Sequence, residues 1–198
     1  MGLLTILRKS KRKERELRIL LLGLDAAGKT TVAKRLLHQD VTDVGPTFGF
    51  DIYTVEYQDY RINIWDIGGQ ESLRSYWKNY FESTDGIIWV VDIADSARLS
   101  HCVVELHKTL QDERLVGAPL LVLANKLDRN PNIVREKLVE AFKLETLCDR
   151  PWNIYLCSAL CNSGVTQGFS WLIDDIAEKN FLYGTNVTLL AFGFIFVF

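Results

Sequence analysis

An α/β fold, with a mostly parallel six-stranded sheet flanked by helices, is predicted by three features of this 198-residue chain. Near-continuous apolar runs recur along it, as strands buried on both faces require. Stretches with helical spacing separate those runs. A glycine-rich turn joins the first run to the first helical stretch. The length suits one well-packed domain and little more.

The first strand is Arg18-Ile-Leu-Leu-Leu22, and a helical pattern follows from Lys29 to about Leu37. Asp40 to Gly49 holds Gly45-Pro46 and reads as a loop. Residues 51–57 and 60–65 alternate around Gln58-Asp59, which predicts a hairpin and one antiparallel edge. Asp66 to Gln70 is a glycine-rich turn, and Ser72 to Phe81 an irregular helix. Gly86-Ile-Ile-Trp-Val-Val-Asp92 and Leu120-Leu-Val-Leu-Ala124 are buried strands, each followed by helix, near 97–115 and 133–142. Trp152 to Cys157 is the last strand and Gly164 to Lys179 the last helix. Ligands of such sheets bind at the carboxyl ends of the strands.

Two flanks stand apart from this domain, which covers residues 17–180. Residues 1–16 read as an amphipathic helix, with Leu3, Leu4, Ile6 and Leu7 ahead of a basic run. From Arg8 to Arg18 there are seven Lys/Arg and two Glu, a charge of +5; the chain total of −2 leaves −7 elsewhere. A basic arm on an acidic body faces a membrane surface, an acidic protein or nucleic acid, unless it is simply a solvated helix face. Gly2 invites N-myristoylation, but Ile6 stands where that motif needs Ser or Thr. Residues 181–198 form an atypical hydrophobic tail without charge. As a helix, 187–198 spans ~18 Å and 181–198 ~27 Å, against about 30 Å of hydrocarbon. The tail fits a membrane anchor, an apolar accident of an alternative transcript, or an extra folded element. The four cysteines, Cys102, Cys148, Cys157 and Cys161, form no C-x-x-C pair and no zinc pattern. Reduced thiols in a cytosolic protein are the plain reading.

Gly23-Leu-Asp25-Ala26-Ala27-Gly28-Lys29-Thr30, between strand and helix, has the form G-x-x-x-x-G-K-[ST]. Its backbone N–H groups are placed to cradle phosphates, with Thr31 just inside the helix. Lys29 adds a cation for the outer phosphates, and the Thr30 hydroxyl suits Mg²⁺. Asp66 ends a strand as a Mg²⁺-binding carboxylate; Gly69 lets an N–H reach a γ-phosphate; Gln70 can orient an attacking water. Thr47, after Pro46, completes a Mg²⁺ shell when a γ-phosphate is present. Asn125-Lys126-Leu-Asp128 closes a strand, and the Asp128 carboxylate can accept from guanine N1 and N2. A site built that way rejects adenine by about 10⁴–10⁵-fold. The Lys126 stem can lie over the base, and Cys157-Ser158-Ala159 suits a backbone contact to guanine O6. Asp25 is unusual: its negative charge in the phosphate loop does not help hydrolysis. With no arginine obviously placed as an internal finger, unassisted turnover is expected to be slow. An arginine from an activating protein is worth about 10³–10⁵ in rate.

These motifs, in this order and with Trp65 before Asp66-Ile-Gly68-Gly69-Gln70, make the chain resemble the Arf and Arf-like small GTPases over residues 1–179. The start Met-Gly-Leu-Leu-Thr-Ile-Leu and the segment 72–92 are most similar to the Arf-like two subgroup. The resemblance implies a P-loop NTPase of small-GTPase fold, cycling between GDP and GTP with Mg²⁺. It implies GTP-driven sliding of the hairpin register, release of the N-terminal helix and no functional myristoylation. The implied partners are a tubulin-folding cofactor, a prenyl-binding carrier that releases lipidated cargo, a small helical effector, an exchange factor and a GTPase-activating protein. Core packing is the default for any one of Tyr76, Trp77, Tyr80 and Phe81, and the resemblance makes them candidates for an exposed effector face once GTP is bound. A monomer in the cytoplasm, at the microtubule-organising centre or cilium base, follows, with no nucleic acid partner and with membrane contact through the N-terminal helix or tail. Three departures stand out: Ala26 where the family has Asn, Gly45 where it has a polar residue, and the tail. Loss of the Ala26 amide removes no backbone donor and is expected to do little harm. Competing readings are a GTP-occupied binding module with negligible hydrolysis, an ATP-using P-loop kinase or transport ATPase, and a tail-anchored GTPase.

Overall fold

The computed structural model describes residues 16–193, with side chains to residue 179. The expected N-terminal helix and the end of the tail lie outside the described residues. Six strands form one sheet: β1 (Glu16–Leu22), β2 (Phe50–Tyr57), β3 (Tyr60–Ile67), β4 (Gly86–Asp92), β5 (Leu120–Asn125) and β6 (Trp152–Leu156). Their spatial order is β2-β3-β1-β4-β5-β6, with every pair parallel except β2 and β3. The helices are α1 (Lys29–Leu36), the short α2 (Glu71–Arg74), α3 (Ser96–Leu110), α4 (Arg135–Ala141) and α5 (Val165–Gly193).

Side-chain alternation along the central strands sorts the core into two layers. Leu20, Leu22, Trp89, Val91 and Val122 pack against α3 and α4 through Leu106 and Leu138. Ile19, Leu21, Val90, Leu121 and Leu123 pack against α1 and α5 through Val32, Phe169 and Leu172. Burial on both faces is why these strands read as unbroken apolar runs. The edge strand β2 has only Val55 buried, so its pattern is weaker.

Three boundaries differ from the sequence expectation. Helix α3 stops at Leu110, because Asp112 accepts a bond from the Arg114 N–H and opens a 3₁₀ turn over Glu113–Leu115. Helix α4 starts at Arg135, two residues late, after a loop pinned by the Asn130 side chain on the Ile93 carbonyl at 3.1 Å. Helix α5 does not stop near Lys179; its backbone runs on to Gly193, into the segment that composition set apart. No proline follows Pro151 to end it. Among the described residues no helix is long and apolar enough to cross a membrane. Trp77 and Phe81, candidates for an exposed face, are instead core residues, 2% exposed each, whereas Tyr76 is 59% exposed. The Trp77 indole N–H donates to the Gly68 carbonyl at 2.9 Å, so this ring fixes the glycine turn from beneath.

Candidate functional site

The carboxyl ends of β1, β3 and β5, the segment after β6 and the loop entering β2 meet around one cleft. A cavity of about 460 Å³ is lined by Asp25, Ala26, Gly28, Lys29, Thr30, Thr31, Thr47, Gly69, Gln70 and Lys126. It adjoins a cleft of about 240 Å³ lined by Thr31, Asn125, Lys126, Asp128 and Ala159, among others. The sequence-assigned residues converge here from five separate segments.

The phosphate loop owes its shape to two glycines. Gly23 has φ +140, and a Cβ there would sit 2.3 Å from the Val90 carbonyl oxygen; at Gly28, φ +95, it would sit 2.5 Å from Asn125 Nδ2. Gly28 caps α1 without any side-chain hydrogen bond, so the first N–H groups of the helix remain for a ligand. Ala26 has φ +60. That left-handed region favours Asn over Ala, so the departure at Ala26 carries a backbone cost of about 1 kcal/mol beside the lost amide. Lys29 is buried, and its Nζ donates to the carbonyls of Gly23 at 3.1 Å and Leu24 at 3.0 Å. Burial pushes its pKa down to about 8, against the pull of Asp66 and Asp25.

Thr30, Thr47 and Asp66 come together as oxygen donors. The two hydroxyls lie 2.8 Å apart, and each donates to Asp66 Oδ2, Thr30 at 2.6 Å and Thr47 at 3.3 Å. Asp66 is fully buried, and burial raises its pKa despite Thr30 and Lys29. Its Oδ1 has no partner. An orphaned, buried carboxylate oxygen beside two hydroxyls fits a hard divalent cation. Among the described residues no group of three or more His, Cys, Asp or Glu could hold a metal alone. One carboxylate with two hydroxyls suits Mg²⁺, which keeps waters and phosphate oxygens in its shell. Gly69 presses on the phosphate loop: a Cβ there would lie 2.5 Å from Asp25 N and from Gly23 O. Gln70, next to it, lines the cavity with its Oε1 unpartnered.

On the far side Asn125 is the bridge. Its Nδ2 donates to the Ala27 carbonyl at 2.9 Å, and its Oδ1 accepts from the Ala159 N–H at 2.9 Å. Within Cys157-Ser158-Ala159, the segment expected to make a backbone contact to guanine O6, the Ala159 N–H is engaged by Asn125. Ser158 Oγ donates to Asp128 Oδ1 at 2.5 Å. Asp128 itself is exposed at the rim, not enclosed. Lys126, at φ +69, pairs with Asp92 at 2.6 Å.

Four residues escaped the sequence reading. Asp92 holds Lys126. Arg35 donates to the carbonyls of Ala159 at 2.7 Å and Leu160 at 2.6 Å, tying α1 to the base-side loop. Arg74 and Arg98 grip the Asp25 carboxylate at 3.3 and 3.0 Å. The charge expected to stand bare in the phosphate loop is thus neutralised twice. Chain spacing hid these two arginines, 49 and 73 residues from Asp25.

Residues 3–176 match the ADP-ribosylation factor family. The chain belongs to that family. It is similar to ADP-ribosylation factor-like protein 2 of Arabidopsis thaliana, 48% identical over 92% of this chain and 99% of the relative. The protein of that name from Drosophila melanogaster is 50% identical over 91% of this chain and 98% of its own. Among solved structures, the Arl6 BBS3 small GTPase from Trypanosoma brucei with bound nucleotide analogue GppNp matches with a TM-score of 0.76 and 30% identity, over 82% of this chain and 98% of that one. This Arf-family chain is a small GTPase: it binds GTP and GDP with Mg²⁺ and hydrolyses GTP.

Proposed function

We propose that this Arf-family chain is a guanine-nucleotide switch whose output is partner binding. The convergence of Thr30, Thr47 and Asp66 carries the reading: three oxygen donors from three segments meet within 3.3 Å around an orphaned carboxylate oxygen. In this reading they hold Mg²⁺. The backbone N–H groups of residues 23–31 and of Gly69 bind phosphate, with the Lys29 ammonium as the counter-charge. Gln70 orients the attacking water. Asn125, Lys126, Asp128, Ser158 and Ala159 bind the base, and a guanine at the rim covers Asp128 and accounts for its exposure in the cleft. Because Thr47 and Gly69 sit on separate loops, a γ-phosphate that engages both reorders the surface they carry. Phe48, Phe50, Ile52 and Tyr76 stand exposed beside them and supply an apolar face.

The likeness to ADP-ribosylation factor-like protein 2 supports the finer role expected from sequence. That role is regulation of tubulin supply through a tubulin-folding cofactor, release of lipidated cargo from a prenyl-binding carrier, and contact with a small helical effector. An exchange factor and an activating protein turn the cycle, in the cytoplasm and at the microtubule-organising centre or cilium base. The test is titration of a purified prenyl-binding carrier with the full-length chain, loaded with GDP or with a slowly hydrolysed GTP analogue. Tight binding of the GTP form alone is expected. Equal binding of both forms refutes the switch, and no binding of either refutes cargo release.

A further inference from the structure

The phosphate-loop carboxylate of Asp25 is held by arginines from two helices. Arg74 on α2 donates from Nη2 to Asp25 Oδ1 at 3.3 Å, and Arg98 on α3 donates from Nη1 to Asp25 Oδ2 at 3.0 Å. Arg98 also reaches the Asp25 carbonyl at 3.4 Å and is steadied by Asp95 at 2.6 Å. The Arg74 side chain is only 9% exposed, and each of its three nitrogens has a partner. Its Nε donates to the Gly69 carbonyl at 2.9 Å, and its Nη1 bonds His101 Nε2 at 2.6 Å. One guanidinium thereby joins the phosphate loop, the Gly69–Gln70 turn and α3.

Asp25 lies on the side of the cavity that Gly69 closes. A bare carboxylate there repels phosphate charge, and a triphosphate brings one more charged phosphate into the cavity than a diphosphate does. We infer that Arg74 and Arg98 are positioning residues that neutralise Asp25 and so give the site its affinity for nucleoside triphosphate over diphosphate. The inference rests on the nucleotide reading above. It adds a coupling: undocking of α2 from the phosphate loop withdraws Arg74 from Asp25, exposes the carboxylate and weakens hold on the γ-phosphate. A fork is required, because a lysine ammonium reaches one of the three partners well and not all of them.

The experiment measures the equilibrium affinity of the full chain for GDP and for a non-hydrolysable GTP analogue by competition against a fluorescent nucleotide. In Arg74→Ala the preference for triphosphate over diphosphate is expected to fall roughly tenfold, within the range that coupled neighbouring charges show. In Asp25→Asn/Arg74→Ala, where no charge needs neutralising, it is expected to return to within about twofold of the wild type. Arg98→Ala, altering a half-exposed side chain, shifts it the same way and less, and serves if Arg74→Ala does not fold. An unchanged preference in both single variants overturns the inference. So does a fallen preference that the double variant fails to restore, since an arginine that only supports the fold weakens both nucleotides alike. A wild-type chain that binds neither nucleotide overturns the underlying reading, an outcome visible before any variant is compared.

Discussion

Replacing Asn125 with alanine separates the site's two halves. The Asn125 side chain is buried and bridges the Ala27 carbonyl under the phosphates and the Ala159 N–H beside the base, at 2.9 Å each. Alanine leaves both backbone groups buried without a partner. Each orphan costs about 1–3 kcal/mol, so about 3 kcal/mol is expected for the pair at the lower half of that range. For a chain of this size that lowers the melting temperature by roughly 6–12 °C. If half of the loss falls on the bound state alone, nucleotide release quickens about tenfold. Scanning calorimetry of the GDP-loaded protein gives the first number. The decay of a fluorescent GDP analogue, chased with excess unlabelled GDP at fixed Mg²⁺, gives the second. A full drop in melting temperature with release unchanged refutes the bridge and leaves Asn125 as packing. An unchanged melting temperature refutes the accounting of the two buried bonds.

Two further predictions concern other buried groups. Arg150, buried at the end of the sheet remote from the cleft, donates to the carbonyls of Leu115 at 2.9 Å and Leu110 at 3.3 Å. Arg150→Ala is expected to cost about 2–4 kcal/mol in urea unfolding, with GDP release unaltered; altered release would mean that the two ends of the sheet are coupled. Burial pushes the thiols of Cys102 up to about 11 and Cys157 up to about 12, whereas Cys148 and Cys161 are exposed. Alkylation of the native protein at pH 8 should modify Cys148 and Cys161 only, as read by peptide mass spectrometry, with all four reacting in denaturant. Early modification of Cys157 would show that the base-side loop opens.

The central strands were legible because burial on both faces writes an apolar run directly into the chain, as at residues 86–92 and 120–124. The binding motifs were legible for a related reason: each lies within one short segment, and in the phosphate loop and the Gly68-Gly69 turn the close approach of other atoms requires glycine. What could not be read depends on distance in the chain. Asp25 looked like an uncompensated charge because its two arginines lie in α2 and α3. Arg35 looked like any basic residue near the end of a helix, yet it holds the loop carrying Ala159. Helix ends failed locally instead, as where the Asp112 side chain competes with α3 for a backbone donor. The aromatic run at 76–81 splits between core and surface because Trp77 and Phe81, four residues apart, share the face turned to the core, while Tyr76 faces solvent.

Asp66 and Lys29 have one more consequence. A sealed carboxylate with a free oxygen and a sealed ammonium held only by carbonyls are groups that a protein interior accommodates poorly by itself. The nucleotide and its cation are therefore structural parts of the folded chain as much as they are its cargo. At a thousandfold excess over the dissociation constant, a ligand adds about 4 kcal/mol to folding stability. Every emptying of the cleft during exchange is then also a brief loosening of the domain. The level of free guanine nucleotide therefore sets part of the domain's stability.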